Sequence, residues 1–334
     1  MKKDQKKSTI TDVAKHVGMT TITVSRALNT PEKVKRETLE RILAAASELN
    51  YVPNAIARNL KSKQSHIIGL IIANIDNPFY ENTFKAVNHA AKESNYSLML
   101  FDTDGSEEQE KKAIETLLSY QASGIILSAV SDDKNYMPSY LHKLKLANIP
   151  VVQIDRKIHN IDFPGVYLDN FNSAYKGMDA LLKKGFRNIL ILAGPKTSQI
   201  TLNRLKGIQQ AIMDQEHPIE LTIKYGDYTK TPSKQAVVEL IQEQYLPDAI
   251  FGLNILITLG ALEAIQEAGL NTENFGFMSI DPIPFARTFG KTIPCIKHDT
   301  YALGLAAINM LIQDIKGNSK ETQDIIIEGN LTIS

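Results

Sequence analysis

Apolar Ile10, Val13, Ala14 and Val17 recur at the three- and four-residue spacing of one helix face. Thr9 or Thr11 supplies a cap at the start of that helix, and Gly18 supplies a left-handed stop. After a short turn, a second helix capped by Thr20 or Thr21 puts Val24, Ala27 and Leu28 on its inner face, and Asn29-Thr30-Pro31 ends it. A third helix over about residues 36–49 aligns Leu39, Ile42, Leu43, Ala46 and Leu49 on one stripe. Two short helices joined by a turn containing glycine, with a third closing the core, describe a helix-turn-helix module. In such a module the second helix enters the major groove with its N-terminal residues toward the base edges. Its outward residues here are Thr21, Ile22, Ser25 and Arg26. Threonine and serine bond to base or phosphate, isoleucine touches a thymine methyl, and arginine grips guanine with two hydrogen bonds. A three-helix bundle with a polar surface helix has the same periodicity, so the pattern alone leaves both readings open.

From His66 onward the period changes. Short apolar, β-rich runs fall at 67–73, 97–102, 124–128, 151–155, 166–168, 189–193, 222–225, 249–253, 275–280 and 295–298. Helical patterns separate most of them, at 79–94, 106–120, 174–184, 202–215, 233–244 and 255–268. This alternation predicts parallel sheets covered by helices on both faces. So many strands fit two similar lobes better than one sheet, with the break near 155–166, where the loop RKIHNIDFPG interrupts the rhythm. The longest apolar run, 67–73, is far too short to span a bilayer.

Charge adds a second layer. The 334 residues carry 37 Lys and Arg against 37 Asp and Glu, a formal net charge of zero. Residues 1–64, however, hold 13 bases and six acids, a net of +7, which leaves −7 on the remainder. A basic terminal block is the electrostatic footprint of a polyanion binder. A solvated tail accounts for residues 1–8, but in 9–64 the bases are interleaved with periodic apolar positions. With 43% hydrophobic and 22% charged residues, the composition excludes a mostly disordered chain or a collagen-like repeat. The single cysteine, Cys295, makes no intramolecular disulfide and suits a reducing compartment. No secretion-type apolar segment follows the charged start, so the expected location is the cytoplasm.

Enzyme signatures are missing. No G-x-G-x-x-G follows a strand, and there is no P-loop, H-E-x-x-H or G-x-S-x-G. The seven histidines are scattered, and nothing pairs a nucleophile with a base. We therefore expect no catalytic residue, no metal and no cofactor. Polar residues do gather at the carboxyl ends of strands, where open α/β sheets bind ligands: Asn77 and Phe79 with Tyr80, Asp155-Arg156, Asn254 and Asp281. Asp102 and Asp104, in FDTDG, also sit at a strand end and are expected to cap a helix instead.

The ordered run DVAKHVG…TVSRALN…NYVPNAIARNLK…IGLI…NPFY resembles the lactose/galactose-repressor (LacI/GalR) family of bacterial transcription factors, and the similarity extends from Thr9 to the C-terminus. The resemblance implies an all-α helix-turn-helix head at 9–53, after a disordered tail at 1–8. A hinge helix at 54–65 then leads to an α/β two-lobed, periplasmic-binding-protein-like (type I) domain at 66–334. Its first lobe is expected over about 66–160 and 293–320, and its second over about 161–292 and 321–334, with three chain crossings and the final strand near 325–327 in the second lobe. Thr20 and Asn29 join the DNA-facing set by position. In the hinge, Ala57 and Lys61 are expected in the minor groove beside Leu60, whose side chain wedges between base steps.

For the cleft the resemblance implies an effector site built from Asn77, Phe79, Tyr80, Asp155, Arg156, Arg204 in TLNRLKGI, Tyr228 in YGDY, Asn254 and Asp281. Phe79 and Tyr228 would cover the CH faces of a monosaccharide while Asp, Asn and Arg bind its hydroxyls. Two carboxylates disfavour a phosphate, whereas two arginines would still accept a sugar acid. Two positions depart from the family pattern. Ile255 follows Asn254 where Asp is usual, and His298 stands where Gln is common, which adds a group able to titrate near neutrality.

The expected function is a ligand-responsive transcriptional regulator, most simply a repressor of a carbohydrate operon. It would bind a pseudo-palindromic operator as a homodimer, with a tetramer also compatible, and no membrane partner is expected. A corepressor-dependent regulator of the same build, and a sugar receptor feeding a transporter, are the alternatives. The +7 block speaks against the receptor. The hinge reading predicts that Leu60→Ala folds normally by circular dichroism yet loses about tenfold or more in operator affinity in a gel-shift titration. Unchanged affinity would remove the wedge.

Overall fold

The structure, a computed structural model, describes residues 8–52, 65–318 and 323–332. The chain divides into two compact units, Met1–Gln64 and Ser65–Ser334. In the first, helix α1 (Ile10–Val17) opens on a capping box. The Thr9 hydroxyl accepts from the Asp12 N–H, and the Asp12 carboxylate accepts from the Thr9 N–H at 2.8 Å. Gly18 ends α1 at φ 69°, a left-handed turn at which a side chain would be strained. Helix α2 (Thr21–Asn29) starts at Thr20, which accepts from the Thr23 N–H, and α3 (Arg36–Glu48) closes the module. Val13, Ala14, Val24, Ala27, Ile42, Ala45 and Ala46 form its core. Ser8, expected in the loose tail, belongs to the module instead: its hydroxyl donates to the Leu49 carbonyl at 2.6 Å and ties the entry of α1 to the end of α3. The expected hinge helix, with Ala57, Leu60 and Lys61, lies outside the described residues.

The second unit is two lobes, each with a six-stranded sheet. In the first lobe, β1 (Ile67–Ile72), α4 (Phe79–Glu93), β2 (Ser97–Asp102), α5 (Glu107–Ser119), β3 (Gly124–Leu127), α6 (Leu141–Ala147), β4 (Val151–Ile154) and β5 (Gly165–Leu168) follow in chain order. The second lobe then holds α7 (Asn170–Lys183), β6 (Asn188–Ala193), α8 (Gln199–Met213), β7 (Glu220–Tyr225), α9 (Lys230–Gln242), β8 (Ala249–Gly252), α10 (Ile255–Glu267), β9 (Gly276–Ile280) and β10 (Cys295–His298). The chain finishes with α11 (Thr300–Ile315), β11 (Ile325–Ile327) and β12 (Gly329–Thr332). The sheet orders are β11-β5-β4-β3-β1-β2 and β12-β10-β9-β8-β6-β7. All described pairings are parallel except β10 with β12. Central strands such as β3, β4 and β8 are buried along their whole length, as helices on both faces require, whereas the edge strands β2 and β7 are only half-buried.

The lobe boundaries differ from the sequence expectation. Strand β5, expected in the second lobe, pairs with β4 in the first sheet, with Ile154 opposite Val166. Strand β10, expected in the first lobe, pairs with β9 in the second, with Cys295 opposite Ser279. The final run 325–327, expected in the second lobe, pairs in parallel with β5, with Ile326 opposite Tyr167. The irregular 155–166 stretch is a strand-to-strand loop inside the first lobe, which is why the broken rhythm misplaced the border. The three crossings therefore follow β5, β10 and β11. Strand β12 gives too short a polar run, GNLT, to be read beforehand.

Helix α11 returns to the first lobe and lies against α4, and there the two backbones come close. A Cβ at Gly304 would stand 2.5 Å from the Thr83 carbonyl oxygen, and the Thr83 hydroxyl donates to the Thr300 carbonyl at 3.0 Å. Gly304→Ala should therefore force the helices apart and cost about 1–3 kcal/mol, read as a lower urea midpoint for the large unit. An unchanged midpoint would show that the contact is slack.

Candidate functional site

In the small unit, packing of Val24 and Ala27 against the core turns the opposite face of α2 outward. Thr21, Arg26 and Asn29 are exposed, Ser25 is half-buried, and Ile22 is 66% exposed. An isoleucine so exposed gains nothing in water, but it suits a surface that meets thymine methyls. Thr20 is engaged in capping, and the Asn29 amide folds back onto the Ser25 carbonyl at 2.8 Å. Among the described residues, the side chains of Thr21, Ile22 and Arg26 thus remain the outward ones with no hydrogen bond inside the unit.

In the large unit, strand ends from both lobes meet at one partly open cleft. Asn77, Phe79, Asp155, Arg156, Arg204, Tyr228, Asn254 and Asp281 all line it, joined by Leu168, Ile200 and Ile255. The two aspartates occupy equivalent places. Each follows the strand third from one edge of its sheet, β4 or β9, and each sends its N–H to the adjoining strand: Asp155 to the Val166 carbonyl at 3.0 Å, and Asp281 to the Ile296 carbonyl at 2.8 Å. Both are left-handed, at φ 60° and 66°, a conformation uncommon for residues with side chains and held here by the flanking ladder.

Two of the expected contacts, Tyr80 and His298, do not line the cavity; each stands behind an aspartate. The Tyr80 hydroxyl lies 3.1 Å from an Asp155 carboxylate oxygen and 2.8 Å from the Ser128 hydroxyl. The His298 ring Nδ1 and backbone N–H both meet Asp281 Oδ1, at 2.8 and 3.2 Å, while Nε2 meets the Ser173 hydroxyl at 2.9 Å. Each aspartate is therefore oriented by a partner on one oxygen, leaving the other for a ligand. Burial pushes the Asp155 carboxyl above its ordinary range, opposed by Arg156, Arg204 and the Tyr80 hydrogen bond. Burial likewise raises the Tyr80 and Tyr228 phenols, which stay neutral donors.

The arginines are anchored by backbone. Arg156 Nη1 donates to the Val130 carbonyl at 2.8 Å, and its guanidinium lies 5.0 Å from the centroid of the Tyr228 ring in the other lobe. Arg204 Nε donates to Asn170 Oδ1 at 2.8 Å and its Nη1 to the Leu253 carbonyl. Both keep further N–H groups for a ligand. Asn254 is less available than expected: its side chain caps α10 through the Ile257 N–H and donates to the Tyr228 carbonyl. The expectation for Asp102 and Asp104 also changes. Ser106 caps α5, while Asp102 accepts from the Ile75 and Asp104 N–H groups to fold its loop.

The lobes also touch through a residue that the sequence did not single out. Asp132, on the loop after β3, accepts from the Ser198 hydroxyl at 3.0 Å and from the Ile200 N–H at 2.8 Å. A first-lobe carboxylate thereby satisfies an orphan N–H in the first turn of second-lobe α8. Among the described residues there is no grouping of three or more His, Cys, Asp or Glu suited to a metal, and no helix is long and apolar enough to cross a membrane.

Residues 65–334 match the family model "Periplasmic binding proteins and sugar binding domain of LacI family", and residues 9–54 match "Bacterial regulatory proteins, lacI family". The chain is 29% identical over 327 residues to a ribose operon repressor of Halalkalibacterium halodurans, covering 98% of this chain and 96% of that one. It is 28% identical to catabolite control protein A of Priestia megaterium, covering 95% and 94%. Among solved structures it is similar to a lac repressor dimer bound to operator and the anti-inducer ONPF, with TM-score 0.79, 26% identity and 98% coverage of each chain.

The paired aspartates predict that Asp281→Ala abolishes the thermal upshift given by any monosaccharide that stabilises the parent protein, while helicity and retention on heparin stay unchanged. A persistent upshift would place the ligand elsewhere.

Proposed function

Because the chain belongs to the LacI family of bacterial regulatory proteins, we propose that it is a transcriptional repressor of a carbohydrate operon whose grip on DNA is set by a small sugar in the interlobe cleft. A homodimer presents two α2 helices to the half-sites of a pseudo-palindrome, in the cytoplasm where such DNA is found. The observation that carries the effector reading is the pair Asp155 and Asp281, which line one cavity together with Phe79 and Tyr228 and are each held by a partner at one carboxylate oxygen. Carboxylates and guanidinium groups together match hydroxyls that donate and accept at once, and the aromatic rings cover the apolar face of a pyranose or furanose.

A neutral sugar also suits the local charge. Asp155 and Asp281 at the strand ends, with Asp132 close by, offset the two arginines, so an anion brings no net gain. A sugar acid is the second reading, supported by the N–H groups that Arg156 and Arg204 leave open. Whichever ligand fits, it acts only through different affinities for the DNA-competent and DNA-incompetent states.

Thermal shift of the full chain against neutral pentoses, neutral hexoses and sugar acids separates the two ligand readings, because a ligand bound only to the folded state raises apparent stability. The expected result is an upshift with a neutral monosaccharide; upshift with sugar acids alone overturns it in favour of the second reading. For the DNA function, affinity for enriched genomic fragments should fall by about 10³ or more between 50 and 200 mM salt, as neutralised phosphates demand. Salt-insensitive or absent binding would instead favour a sugar receptor.

A further inference from the structure

Glu110, on α5, is fully buried in the first lobe and takes no part in the cleft described above. Its carboxylate accepts three hydrogen bonds: from the Val130 N–H at 2.6 Å, the Tyr136 hydroxyl at 2.7 Å and the Tyr140 hydroxyl at 2.6 Å. All three donors come from one segment, residues 128–140, which runs from the end of β3 toward α6. A buried carboxylate is costly without such donors, and burial does raise its pKa against the pull of the tyrosines and the Val130 N–H. Only the ionised form accepts from all three without turning a proton toward one of them.

The same segment lies behind the cleft and holds first-lobe residues that line it. The Ser128 hydroxyl meets Tyr80, which orients Asp155. The carbonyl of Val130, the residue whose N–H Glu110 holds, receives Arg156. Two residues further on, Asp132 caps second-lobe α8 at Ile200, and Asp133 pairs with Ser198 as an isolated bridge. We propose that Glu110 is a positioning residue for the effector site: it pins the 128–140 segment from behind, so that Arg156 points into the cleft and Asp132 reaches across to hold the lobes together. This rests on the cleft being the effector site, but the geometry it governs exists without ligand.

Amide hydrogen exchange of the full-length protein, with no ligand added, tests it. Glu110→Gln offers one oxygen for two sets of donors, so either Val130 or the tyrosines lose their acceptor. Exchange at both Val130 and Ile200 should rise by about fivefold or more, the size of a lost helix cap, while amides of β8 stay protected. Asp132→Ala should raise Ile200 alone, and adding Glu110→Gln to it should raise Ile200 no further, because the two act in series. Unchanged Ile200 exchange in Glu110→Gln, or a uniform rise across the large unit, would overturn the proposal and leave Glu110 a core residue only. Should Glu110→Gln not fold, Tyr136→Phe removes a single donor; a smaller rise at both amides supports the proposal, and no rise at either overturns it. Failure of the sugar reading shows in the thermal-shift screen and leaves these exchange rates untouched.

Discussion

A carboxylate removed from water has to be met by donors, and the large unit is organised around places where that happens. Asp155, Asp281, Asp132 and Glu110 are each buried or nearly so, and each is answered by named groups: Tyr80, His298, the Ile200 N–H and Ser198, and the Val130 N–H with two tyrosines. Such charges contribute little net stability, since desolvation offsets most of the attraction. What they contribute is direction. Each carboxylate fixes the position of a loop or side chain that apolar packing alone would leave free to slide, and three of the four connect the cleft to something outside it.

The two lobes answer the same problem with different residues. Asp155 and Asp281 hold equivalent left-handed positions after equivalent strands, yet one leans on a tyrosine from α4 and the other on a histidine ending β10. The histidine continues through Ser173 at the start of α7, directly after the first crossing between lobes. A cleft carboxylate is thus bonded, through the histidine, to the segment where the chain changes lobes. The tyrosine stays inside its own lobe.

Much of this was legible in the residue order, for reasons that can be named. The helix-turn-helix unit was readable because its core is local: Val13, Val24 and Ile42 meet through spacings within a short segment. Strand ends were readable because a polar residue after an apolar run is conspicuous, and eight of the ten expected cleft positions do line the cavity. Lobe membership was not, since a run such as Ile325–Ile327 fits the open edge of either sheet and only long-range pairing with β5 decides. Helices α7, α8 and α9 begin three or four residues before their apolar periodicity does, because Asp169, Ser198 and the polar first turns start them. That lost turn of α8 carries Ile200 and hid the Asp132 contact. Glu110 left no signal at all, being one acid among several in EEQEKK.

The order of the strands has a consequence for how the molecule comes into being. The first sheet is not finished by the strands that precede the first crossing; its outermost member, β11, is made only after every strand of the second lobe except β12 has been synthesised. Until Ile325–Ile327 emerges, β5 presents a bare edge, with the parallel partner that will cover it still to be translated. Neither lobe is a continuous piece of chain, so neither is separable by a single cut, and the two must mature together. The small helical head, by contrast, is complete in its first 52 residues. The nascent polypeptide therefore holds a folded helical head well before its large unit can close, and the ribosome's pace sets how long that interval lasts.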